Sequence, residues 1–150
     1  MIDTLLVHGT VVAIEGEAML LRGPPGAGKS DLALRLIDGG ARLVADDQAL
    51  LRRADNQVLA RAPAAIAGLI EVRGVGILRV DPAEEAPLLL LVDLVPSAEV
   101  ERLPESRFEM VLGLTVPLIS LAPFEASATA KLRLAWRAFA VPSRPAILGS

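Results

Sequence analysis

The sequence contains no cysteine, no tyrosine and a single histidine, His8. Disulfides, thiol nucleophiles and cysteine-based zinc sites are therefore excluded, and so are metal sites built from several histidines. Aromatic residues make up only 3 % of the chain, which leaves no row of rings on which successive bases of a single strand could stack. A formal net charge of -3 argues against diffuse attraction to a polyanion, so nucleic acid is not an expected partner. The apolar runs, such as Leu88 to Val92, are too short to span a bilayer. The start Met1-Ile2-Asp3 has neither a basic n-region nor a cleavage site, so the expected location is the cytoplasm, with no membrane contact.

What is present is aliphatic. Of 150 residues, 53 % are hydrophobic and 22 % charged, the balance of a folded domain with a core of Leu, Val, Ile and Ala. That length fits one domain covering residues 1–150, with a frayed tail from about 141 marked by Pro142 and Pro145. The β-branched stretch Thr4 to Ile14 predicts a strand, and Ala18 to Arg22 a second one after the turn Glu15-Gly16-Glu17. Ser30 to Asp38 carries apolar residues at helical spacing and ends at Gly39-Gly40. Short strands are expected at Arg42 to Ala45, Ala49 to Arg53, Val58 to Arg61, Ile70 to Val72 and Ile77 to Val80, with a buried one at Leu88 to Val95. Glu99 to Leu103 reads as a short helical turn, and Phe124 to Phe139 as the second helix. Lys131, Arg133 and Arg137 are expected on the solvated face of that helix. The sum is a mixed α/β domain with more strands than helices.

The chemistry is concentrated between the second strand and the first helix. Gly23-Pro24-Pro25-Gly26-Ala27-Gly28-Lys29-Ser30 satisfies G-x-x-x-x-G-K-[ST]. Glycines let several backbone N–H groups converge on a phosphate, and the helix that follows adds its positive end. In this pattern Lys29 reaches the outer phosphates and the Ser30 hydroxyl ligates Mg²⁺. Such a loop needs a carboxylate at the end of a neighbouring strand, and Asp46-Asp47 closes Arg42 to Ala45. One of the pair can serve the metal while the other takes a proton from an attacking hydroxyl.

Four segments follow one another in a distinctive order: His8-Gly9, Gly23 to Ser30, Leu43-Val44-Ala45-Asp46-Asp47, and Ile70-Glu71-Val72-Arg73-Gly74-Val75-Gly76-Ile77. Together they resemble the catalytic domain of the HPr kinase/phosphorylase family, which is similar in fold to phosphoenolpyruvate carboxykinase. The resemblance is close over about residues 4 to 80 and looser beyond. It implies a P-loop kinase domain with a mixed sheet that uses ATP and Mg²⁺ to phosphorylate a serine of the phosphocarrier protein HPr or its nitrogen-regulatory counterpart. It further implies Asp47 as the proton acceptor, Glu71 as a second Mg²⁺ ligand beside Ser30, His8 and Arg102 as catalytic residues, and a hexameric assembly. Arg73 is a candidate for stabilising the transferring phosphoryl group.

The sequence also departs from that pattern. The family carries an additional N-terminal domain, whereas this chain begins almost at His8. The family's P-V-x-x-G-R-N stretch, tied to dephosphorylation, is replaced by Val116-Pro117-Leu118-Ile119-Ser120-Leu121. The expectation is a kinase with weak or absent phosphorolysis. A small-molecule kinase and a nucleotide-sensing module with little turnover are the alternatives.

Overall fold

The computed structural model of the chain describes residues 4–140. Eleven strands and two α-helices lie among the described residues: β1 Thr4–His8, β2 Thr10–Ile14, β3 Glu17–Arg22, α1 Lys29–Asp38, β4 Arg42–Ala45, β5 Gln48–Ala54, β6 Gln57–Arg61, β7 Leu69–Val72, β8 Gly76–Arg79, β9 Glu85–Leu94, β10 Arg107–Val111, β11 Leu114–Leu121 and α2 Ala128–Ala140. Nine strands form one mixed sheet in the order β1-β5-β6-β9-β3-β2-β4, with β11 joining at β9 and carrying β10, while β7 and β8 form a separate hairpin. The α/β expectation with a mixed sheet, hairpins and a P-loop helix holds.

β2 and β3 are buried on both faces, which is why they read as unbroken apolar runs rather than alternating ones. Val12, Met19 and Leu21 face the helices, where Leu32 and Leu36 of α1 and Leu132 of α2 complete one core cluster. Val11, Ala13 and Leu20 face the other way and pack with Leu51, Val58, Leu91 and Val116 in a second cluster. β9 is the hub. Its first residues pair antiparallel with β6, and its later ones run parallel to β3 on one side and to β11 on the other.

The stretch expected as one strand from Thr4 to Ile14 is two. The break falls at Gly9, which β3 approaches so closely that a Cβ there would meet the Leu20 side chain at 2.6 Å and the Leu21 carbonyl at 2.8 Å. β1 therefore leaves to pair with β5, and β2 pairs with β3 and β4. The second helix begins at Ala128 rather than Phe124, since Pro123 to Ser127 form turns. The helical turn expected at Glu99 to Leu103 is a 3-10 turn at Ser97–Glu99, followed by an irregular segment. The hairpin β10–β11 was not expected at all. The tail expected to fray lies outside the described residues.

Candidate active site

β3 delivers the chain to Gly23, and α1 begins at Lys29, so the glycine-rich loop is the strand-to-helix connection that the motif requires. Gly26 (φ 83°) and Gly28 (φ 98°) adopt the left-handed conformation that glycine takes at little cost. The Ala27 N–H donates to the Pro24 carbonyl at 3.0 Å, closing the turn, and Leu32 N–H donates to Gly28 at 2.9 Å, opening the helix. The Lys29 ammonium folds back across the loop and donates to the carbonyls of Gly23 (2.6 Å) and Pro24 (3.1 Å). Its charge is thus held at the mouth of the loop by neutral acceptors.

Asp46 ties this loop to three other segments. Its Oδ1 accepts from the Ser30 hydroxyl at 2.7 Å and from the Thr10 hydroxyl at 3.1 Å, and its Oδ2 accepts from the Glu71 N–H at 3.0 Å. The residue is only 7 % exposed, and its burial is compensated because each oxygen has a donor. One carboxylate thereby joins α1, the start of β2, the end of β4 and the hairpin β7–β8.

Asp47 differs in every respect. It is exposed and sits at φ 68°, a left-handed conformation that non-glycine residues seldom adopt. Its backbone is over-determined: the carbonyl accepts from Gly9 N–H at 2.9 Å, and the N–H donates to the Thr10 hydroxyl at 3.5 Å. No hydrogen bond occupies the Asp47 carboxylate among the described residues.

The other expected site residues fall around this pair in different ways. His8 is exposed at the end of β1, in register with Gln48 and next to the Gly9–Asp47 bond. Glu71 lies on β7 with its side chain exposed and its backbone on Asp46. Arg73 is exposed at the tip of the β7–β8 hairpin, in a turn closed by Val75 N–H to the Val72 carbonyl. Arg102 lies exposed in the irregular segment before β10 and makes no hydrogen bond or ion pair among the described residues. Nothing in this arrangement draws it toward Lys29.

Among the described residues, no three His, Cys, Asp or Glu side chains stand close enough to hold a metal by themselves. The oxygens at the head of α1, the Ser30 hydroxyl and the Asp46 carboxylate, are hard donors. They suit Mg²⁺ that takes its remaining ligands from phosphates and water.

Two contributors escaped the sequence reading. Thr10 is fully buried, and its hydroxyl serves both aspartates. Arg22, the last residue of β3 before the loop, donates from Nε to Asp93 at 2.8 Å and bidentately to Glu109 at 2.6 and 3.0 Å. These bonds raise its pKa against the opposing effect of burial. A basic residue directly before the first loop glycine was the available signal. Arg133, expected on a solvated face, instead donates to the Leu36 carbonyl at 3.2 Å and covers the C-terminal end of α1.

A strand leading into a glycine loop, a lysine across its mouth and a serine bound to a strand-end aspartate define a P-loop phosphate-binding domain. The chain is more specific than that class. Residues 1–130 match the model of the HPr Serine kinase C-terminal domain, and the chain belongs to that family. It is 38 % identical over 126 residues to the HPr kinase/phosphorylase of Burkholderia lata, which covers 77 % of this chain and 39 % of that protein. The HPr kinase/phosphorylase of Clostridium beijerinckii is 43 % identical over 74 residues, covering 49 % of this chain and 24 % of the relative. The chain thus spans well under half the length of these relatives. Among solved structures, the Hpr(Ser) kinase/phosphatase from Coxiella burnetii superposes with a TM-score of 0.77 at 28 % identity, covering 85 % of this chain and 91 % of that one.

Proposed function

We propose that this chain is a single ATP-dependent protein-serine kinase domain whose acceptor is the phosphocarrier HPr or its nitrogen-regulatory counterpart. The observation that carries this reading is the 2.7 Å bond from the Ser30 hydroxyl to Asp46, which sets the aspartate pair against the phosphate loop. The names of the family and of its relatives supply the acceptor. ATP as phosphoryl donor fits a cytoplasmic setting, and the family resemblance favours a hexamer.

In this mechanism the backbone amides from Gly26 to Ser30 hold the β- and γ-phosphates. The Lys29 ammonium exchanges its two carbonyl acceptors for phosphate oxygens. Mg²⁺, when bound through Ser30 with Asp46 and Glu71 nearby, would neutralise charge on the same phosphates. The acceptor serine oxygen forms the new bond to the γ-phosphorus as the bond to the bridging oxygen breaks, and the hydroxyl proton passes to Asp47. Asp47 is suited to this role because its carboxylate is exposed and uncommitted while its backbone is held by Gly9 and Thr10. His8 and Arg73, exposed on either side, are proposed to position the acceptor and to stabilise the transferring charge. Arg102 is retained only as a candidate that acts on the bound acceptor.

The test is to incubate the full chain with Mg-ATP and HPr and to follow phosphoserine by mass spectrometry. Transfer is expected, and Asp47→Asn is expected to abolish it with ATP affinity nearly unchanged. ATP binding without phosphoserine would favour the nucleotide-sensing module. Full transfer by Asp47→Asn would remove the aspartate from the proton-accepting role.

A further inference from the structure

The phosphate loop accounts for the triphosphate but leaves open what meets the base. The chain has four aromatic side chains, three Phe and one Trp. Trp136 and Phe139 pack against the helix-side core, and Phe108, exposed on β10, lines a cavity of about 580 Å³ beside β10 and β11. The fourth, Phe124, touches the phosphate loop itself. A Cβ built on Gly28 would lie 2.9 Å from Phe124 Cζ and 3.1 Å from Cε1, so the far edge of the ring rests on the last loop glycine. The contact is made by the edge, and Phe124 remains 71 % exposed. The faces of the ring are therefore open to solvent at the rim of the loop.

The turn that carries the ring is fixed from both ends. The Arg35 guanidinium of α1 donates to the Pro123 carbonyl, and Lys131 of α2 pairs with Glu125 at 3.1 Å. Arg35 is itself held by Asp31 at 3.1 Å, one turn earlier on the same helix. An exposed ring on a free loop would be unremarkable; this one is anchored to the helix that begins at the phosphates. Gly28 is needed for two reasons at once, its positive φ and the space taken by the ring.

We propose that Phe124 is the base-binding surface of the nucleotide site, offering a ring face on which the nucleobase stacks. The proposal rests on the reading of Gly23 to Ser30 as a nucleotide-phosphate loop and adds to it the part of the ligand that the loop does not touch. Stacking is tolerant of base identity because every base has a π-face. Adenine and guanine nucleotides should thus bind similarly, the larger purine rings overlapping Phe124 more fully than pyrimidines do.

The experiment compares Mg-ATP with Mg-tripolyphosphate, which has the phosphates and no base, by isothermal titration calorimetry on the full chain. Phe124→Ala should weaken ATP by about five-fold or more and leave tripolyphosphate within about two-fold, while Phe124→Trp should keep ATP affinity. Phe124→Leu preserves an apolar prop against Gly28 without a π-face and should behave as the alanine variant does. It also carries the test if alanine at this position does not fold. Equal weakening of ATP and tripolyphosphate would make Phe124 a prop of the loop and overturn the proposal, as would ATP affinity unchanged in the leucine variant. Failure of the unaltered chain to bind either ligand would remove the phosphate-loop reading and this inference with it. That outcome is distinct from a defect confined to ATP.

Discussion

Asp46 and Asp47 are neighbours with opposite physical situations. Asp46 is buried and accepts from three donors, two of them hydroxyls that can rotate and one a fixed backbone N–H. Asp46→Asn would remove the negative charge that strengthens all three bonds and would force the Ser30 and Thr10 hydroxyls to accept from an NH₂ group or turn away. It is expected to cost about 1–3 kcal/mol of stability, measured by urea denaturation, and to weaken nucleotide binding together with it. Asp47 is constrained through its backbone instead. Asn tolerates the left-handed conformation well and a β-branched residue does not. Asp47→Asn should therefore leave the urea midpoint almost unmoved, whereas Asp47→Val should lower stability by about 1–2 kcal/mol. A chain equally stable with Val at this position would show that the kink relaxes freely.

How much of this was legible in the sequence depends on the range of the cause. The loop, its lysine and serine, and the helix that follows are a contiguous pattern whose geometry is set locally, and they fold as the pattern says. The aspartate pair was legible as a strand end. Its division of labour was not, because the donors to Asp46 lie 16, 25 and 36 residues away in the chain. The need for glycine at position 9 likewise comes from Leu20 and Leu21, eleven and twelve residues on, which local propensity cannot register. The prolines misled in a consistent way. Pro87 and Pro117 lie inside β9 and β11, yet each sits where its strand is bonded on one side only, since pairing on the other side begins at Leu88 and at Leu118. A proline-marked gap thus concealed the hairpin β10–β11.

That hairpin has a mechanical link to the phosphate loop. Arg22 at the end of β3 grips Asp93 on β9 and Glu109 on β10. The hydrogen bond from Arg22 holds the Glu109 carboxyl below the ordinary glutamate range, against a smaller opposing effect of desolvation. Because the folded state prefers ionised Glu109, the ion pair stabilises the fold at neutral pH. That contribution is lost as acid protonates the carboxylate below about pH 4. Glu109→Gln should lower the urea midpoint at pH 7 by the equivalent of less than about 1 kcal/mol, as befits a partner 42 % exposed, and the gap should close in acid. A gap that persists unchanged at low pH would locate the effect in packing. The two helices are coupled in a comparable way. Arg133→Ala removes a charge from the C-terminal end of α1 and a donor from the Leu36 carbonyl, with an expected cost of about 0.5–1 kcal/mol in the same assay.

Taken whole, the molecule places its phosphate machinery at the ends of β3 and β4 and carries β10 and β11 on the same mixed sheet, joined to β3 through β9. The segment Val116 to Leu121, where the family resemblance leads one to expect a glycine, arginine and asparagine, lies in β11, paired with β10 up to Leu118 and with β9 from Leu118 on. No arginine of that stretch is available to grip inorganic phosphate as an attacking group. Under the proposed kinase function, phosphorolysis of phosphoserine-HPr is expected to be slow compared with the forward reaction; rapid pyrophosphate release on adding phosphate would contradict this.

Lys29 is held on the carbonyls of Gly23 and Pro24 at the mouth of the loop. Ligand capture is then a trade of acceptors and not the recruitment of a wandering side chain, so little rotamer freedom is left to surrender. The gain comes from replacing uncharged oxygens with anionic ones. Affinity should consequently follow the ionisation of the terminal phosphate, falling in mildly acidic solution where that group takes up its last proton.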